Sequence, residues 1–176
     1  MIVFSKYDCV PLKGEVVYRA YEHSFDFKVE CEPELLCHAG NKGTTSVLVG
    51  TLQIEIGIET GNALFVWGLH SHNSQWKRDR LERVLSEKGC VKVSFDCEAI
   101  VGVSQELAGV GEWNTTYDMN NGWICISAKE HGAADSYIEF AQDTIAGLAN
   151  GKLVSIWLRP VWHQERFKEA SPLFGK

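Results

Sequence analysis

Read as apolar and polar positions, the chain alternates with period two along most of its length. The clearest stretch runs from Thr44 to Trp67, where Leu48, Leu52, Ile54, Ile56 and Ile58 share one apolar side broken by Gly50, and Thr51, Gln53, Glu55 and Glu59 lie opposite. Successive side chains of a strand point to opposite faces, so this pattern predicts a half-buried central ribbon. Glu59 to Asn62 supply a turn, and Ala63 to Trp67 reads as the returning strand. Ser24 to Cys31 alternates in the same way and pairs with Glu15 to Tyr21 in a hairpin about Glu22 and His23. Asn120, Asn121 and Gly122 fit the positive φ of a tight turn, which predicts a hairpin between Thr115–Met119 and Trp123–Ala128. Cys90 to Cys97, Ala99 to Val103 and Lys152 to Arg159 read as further strands, the last ended by Pro160.

Two stretches follow the 3.6-residue period instead. Trp76, Leu81, Val84 and Leu85 mark one face of a helix over 74–88, with Asn73 or Ser74 as N-cap and Gly89 as C-cap. Its opposite face carries Lys77, Arg78, Arg80 and Arg83, read as a solvated face with internal ion pairs. Ser136 and Glu139 form a capping-box pattern, and Tyr137, Phe140, Ala141, Ile145, Leu148 and Ala149 fill the inward side of a helix over 136–149, stopped by Asn150 and Gly151. Pro33 opens a single helical turn within Glu32 to Ala39. The expected fold is therefore α+β: one domain over 1–176, a mainly antiparallel twisted sheet of about seven to nine strands with several hairpins, and two helices packed on it.

Composition narrows the function classes. A formal net charge of -6 argues against a nucleic-acid partner, because phosphate binding needs a basic field. No apolar run reaches the ~18 residues of a membrane span, and the opening residues lack a basic segment and a cleavage site, so the chain reads as cytoplasmic. Of the six cysteines, Cys9, Cys31, Cys37, Cys90, Cys97 and Cys125, no two are spaced C-x-x-C. They are expected to be reduced and structural, with Cys31, Cys97 and Cys125 at inward strand positions.

Functional groups are densest between Trp67 and Trp76. An extended chain would place His70 and His72 on one side, where both could reach one divalent ion, but zinc needs a third protein ligand that no spacing supplies. The bland reading, two histidines in a polar strand-to-helix loop, outweighs the metal reading. A helix start at Asn73 would also suit a small anionic ligand, with Lys77 and Arg78 adding to its field. Cys37 beside His38 resembles a thiolate–base pair only in sequence, and no motif of nucleophilic or nucleotide chemistry is present. Trp67, Trp76 and Trp113 are among six tryptophans, placed mostly at strand ends and in loops, where an aromatic-lined cleft or a subunit contact would need them.

These features lead to a small cytosolic binding or interaction protein, self-associating or bound to a protein partner, acting near the 67–76 loop. Trp67, His70, His72, Asn73, Trp76 and Trp113 are its candidate site, with no cofactor and no resident metal. The competing reading is a metal-assisted hydrolase or other small-ligand enzyme using His70 and His72.

Overall fold

The computed structural model describes residues 1–73, 75–108 and 111–164. Strands β1 (Ile2–Tyr7) and β9 (Cys90–Phe95) form an antiparallel pair. One seven-stranded sheet is ordered β10 (Ser104–Glu106), β4 (Thr44–Val49), β5 (Leu52–Gly57), β6 (Ala63–Leu69), β3 (Ser24–Val29), β2 (Gly14–Arg19) and β16 (Val161–His163). The other is ordered β7 (Lys77–Arg78), β11 (Trp113–Tyr117), β12 (Ile124–Ala128), β15 (Lys152–Leu158), β14 (Thr144–Ala149), β13 (Ser136–Ala141) and β8 (Glu87–Lys88). Among the described residues the one helix is α1 (Glu32–Ala39), with Pro33 in its first turn and Gly40 closing it at φ 76°. Phe25, Ile54 and Val66 of the first sheet share a single buried core with Ile126, Ile138 and Ile156 of the second. The arrangement is a β-sandwich.

This corrects the α+β expectation, since neither predicted α-helix exists. Residues 136–149 are the hairpin of β13 and β14, and Asn150 and Gly151, both at positive φ, are the two-residue loop joining Ala149 to Lys152 of β15 rather than a helix stop. Alternation fails here because both faces are covered. Thr144, Ile145, Ala146, Gly147 and Leu148 are all buried, so the polar positions that would mark period two are missing.

The 74–88 stretch is not a helix for a geometric reason. Its ends, β7 and β8, pair with opposite edges of the second sheet, beside β11 and β13. Six inter-strand spacings make that span about 29 Å, which nine steps of extended chain cover in about 30 Å and nine steps of helix in only about 14 Å. Residues 79–86 are therefore a taut strap over the outer face of the sheet. Leu81 and Val84 pack on the cluster of Cys125, Ile145 and Trp157 beneath it, which Trp123 and Tyr137 also flank, while Leu85 is 91% exposed. Asp118 anchors the start of the strap by accepting the Leu81 N–H at 2.9 Å, and this bond, with a second from Asn120, holds its carboxyl below the usual range. Burial pushes the Cys125 thiol up to about 12, so it remains a packing group.

The central ribbon is a hairpin rather than one long strand. Val49 pairs with Leu52 across a two-residue loop in which Gly50 alone has positive φ, at 62°. The turn shifts the alternation, so Val47 and Val49 lie in the core and Leu48 is half-exposed, while Leu52, Ile54 and Ile56 are buried as expected. The hairpins β2–β3 and β11–β12 form as expected. Ala99 to Val103 is not a strand. Each large sheet ends in strands of only two or three residues, whereas the separate β1–β9 pair consists of six-residue strands.

The cysteines also depart from expectation. Cys9 and Cys90 form a disulfide with their Cα atoms 5.4 Å apart, and Cys31 and Cys97 are exposed; Cys125 alone of the three inward candidates is buried. The cysteine argument for a cytosolic setting goes with that bond. Among the described residues, no helix is long and apolar enough to cross a membrane.

Candidate functional site

The site begins where β6 ends. Gly68, at φ 123°, pairs with Leu52 and Phe25, and the chain then leaves the end of this interior strand through His70, Ser71 and His72. Tyr18 of β2 fixes this exit. It is fully buried, and its hydroxyl donates to the His70 carbonyl at 2.8 Å and accepts the His72 N–H at 2.9 Å. Burial raises the Tyr18 hydroxyl above its ordinary value, against the opposing bond from His72, so it stays protonated and keeps both contacts.

The His70 ring then bridges the two sheets. Its Nδ1 lies 3.0 Å from Thr51 Oγ1, in the β4–β5 turn, and its Nε2 lies 2.8 Å from Thr115 Oγ1, on β11. A neutral imidazole has one donor and one acceptor nitrogen, and a hydroxyl serves either, so both contacts are satisfied without a charge. Desolvation lowers the His70 pKa to about 4.

Beside this bridge lies an open groove of about 650 Å³. One wall is the β4–β5 turn with Thr51, another is Asn73, Gln75 and Trp76, and the third is Glu112, Trp113, Asn114 and Thr115. Trp113 lies over Gly50, where an added Cβ would sit 3.6 Å from its ring. Trp76 is only 7% exposed and packs against His70, Tyr18 and Phe25. The lining mixes polar and apolar groups and is nearly uncharged, since its one carboxylate, Glu112, is paired with Lys129 at 2.9 Å.

Four of the six sequence candidates thus meet at one groove: His70, Asn73, Trp76 and Trp113. His72 does not line it. Its ring turns to an aromatic cluster with Trp76, Trp162 and Tyr117 at 4.7, 5.4 and 6.2 Å, and burial, then the charge of Arg78, lowers its pKa. Trp67 lies elsewhere too, donating to Glu55 at 2.8 Å on the outward side of β6. Asn73 caps no helix; its side chain accepts the Gln75 N–H at 2.9 Å in a local turn. With the helix start gone, the anion reading loses its physical basis. Among the described residues, no group of three donor side chains includes His70 or His72.

Sequence reasoning missed Thr51, Thr115 and Tyr18. Threonine and tyrosine are ordinary strand residues, so nothing in their local pattern marks them. Trp162 packs with its ring 4.7 Å from that of Tyr18, tilted by 60°, as β16 pairs with β2. Ser74, the alternative N-cap candidate, lies outside the described residues.

A second constellation lies apart from the groove. His38, in the last turn of α1, has its Nδ1 3.9 Å from Cys90 Sγ, and the donor atoms of Cys9, His38 and Cys90 all fall within 4.8 Å of one another. The sulfur partner of His38 is thus Cys90 and not its exposed neighbour Cys37. No protein-family model and no curated protein sequence matches this chain.

Proposed function

We propose that the chain is a binding protein that takes a segment of a protein partner in the groove beside His70. The observation that carries this reading is the lining itself. The Trp113 indole, with the small exposed part of Trp76, flanks a floor of hydroxyl, imidazole and amide groups with no unpaired charge. Aromatic faces give contact area at little entropic cost, and neutral hydrogen-bonding groups suit a peptide backbone better than an ion. The other large cavity, about 500 Å³ under the strap, is lined by Leu81, Val84, Trp123 and Trp157, whose apolar surface already serves to hold the strap in place.

Self-association is one form of this reading. The two- and three-residue edge strands of the two large sheets make strand addition there a poor route, and the groove is the surface through which a second copy would enter. Fragment screening by NMR on the full chain tests the proposal. Small amide and aromatic fragments should shift the Trp113 and Trp76 indole signals together with the Thr115 amide, and Trp113→Ala should abolish those shifts. Fragments that gather instead at Trp123 and Trp157 would contradict it. Sedimentation velocity of the wild type and Trp113→Ala then tells a second copy from another partner.

A further inference from the structure

We propose that Cys9, Cys90 and His38 form a redox-gated site for one zinc-class cation, closed while the two sulfurs are bonded and open once they are thiols. Three distant segments supply it. Cys9 follows β1, Cys90 opens β9 opposite Tyr7, and His38 ends α1. The three donor atoms lie within 4.8 Å of one another. Around a tetrahedral zinc, with bonds of about 2.3 Å to sulfur and 2.0 Å to nitrogen, a sulfur and a nitrogen ligand stand about 3.6 Å apart and two sulfurs about 3.8 Å. The 3.9 Å between Cys90 Sγ and His38 Nδ1 already matches the first span. The bonded sulfurs have to separate, and reduction is the step that frees them.

The imidazole is also oriented. The His38 carbonyl accepts Thr60 Oγ1 at 2.6 Å and Asn62 Nδ2 at 2.9 Å, which fixes the end of the helix that carries the ring. Thiolate and imidazole ligands select zinc-class ions over magnesium or calcium, and three protein ligands leave a fourth position open. The chemistry balances with a thiol of the glutathione class as reductant. Two such thiols are oxidised to their disulfide as the Cys9–Cys90 bond takes up two electrons and two protons, and the incoming cation then displaces two thiol protons.

The test is anaerobic titration of the full chain with cobalt(II) alone, as a spectroscopic substitute for zinc. After reduction by a phosphine, the wild type should develop thiolate-to-cobalt charge transfer and strong tetrahedral visible bands that saturate at one equivalent and vanish when zinc is added. The oxidised chain should develop none, a comparison that needs no substitution. Cys9→Ser and Cys90→Ser should lose the bands, His38→Gln should weaken binding, and Cys37→Ser should behave as wild type. No bands in the reduced wild type, bands that survive Cys90→Ser, or unchanged affinity in His38→Gln would each overturn the proposal.

Discussion

His70 stands between Thr51 and Thr115, with one ring nitrogen 3.0 Å from the first hydroxyl and the other 2.8 Å from the second. A single imidazole therefore ties a turn of one sheet to a strand of the other and forms the floor of the groove between them. His70→Ala should leave the buried Thr115 hydroxyl without a partner and cost about 1 to 3 kcal/mol. Urea unfolding should show a lower midpoint with an unchanged slope, and a loss below about 0.5 kcal/mol would mean that the bridge contributes little.

The same bridge sets a pH dependence. His70 has its folded pKa lowered from 6.5 to about 4, so between those values the unfolded chain binds a proton that the folded chain refuses. Stability should be flat with respect to this group above pH 6.5, fall as pH drops towards 4, and level off below. The integrated loss is about 2 to 3 kcal/mol after allowing for partial solvent access. His70→Gln should flatten that limb of the stability profile; an equally steep limb in the variant would assign the effect to other groups.

The Cys9–Cys90 bond closes a loop with a sequence separation of 81. Constraint of the unfolded chain by a loop of that size is worth about 4 kcal/mol. Reduction without added metal should lower the denaturant midpoint accordingly, and Cys90→Ser should give the same midpoint whether or not reductant is present. A midpoint insensitive to reductant in the wild type would show that the bond is not formed in solution.

The strap makes opposite predictions for two leucines that a helix would treat alike. Leu81 packs under the strap on Trp157 and Ile145, so Leu81→Ala should cost about 1 to 2 kcal/mol, roughly half the value of a fully buried leucine. Leu85 is exposed, and Leu85→Ala should fall within about 0.5 kcal/mol of wild type. Equal losses at both positions would favour the helix over the strap.

Much of the first sheet was legible because one side of each ribbon is wet. Lys28, Gln53 and Glu55 mark the outward positions and leave Phe25, Phe27, Ile54 and Ile56 to the core. The turn at Asn120 to Gly122 was legible for a different reason, its turn-forming residues, of which Gly122 takes a positive φ of 78°. The second sheet was not, because the strap and its aromatic neighbours cover the outer face of β14 and β15 and erase the polar half of the alternation. Leu81 and Val84 fall where the extended strap crosses bulky side chains and Leu85 is exposed, so their helical spacing is accidental. The groove was half legible. His70, Asn73 and Trp76 are near in sequence, but Thr51 and Thr115 reach them through pairing across two sheets, which no local pattern records.

The most direct test of a preformed groove built on a neutral bridging histidine is the titration of the His70 ring, followed by nitrogen-detected NMR on the full chain. The account predicts a midpoint at about 4, with one neutral tautomer persisting through pH 6. A midpoint near 6.5, with both nitrogens exchanging freely with water, would contradict it.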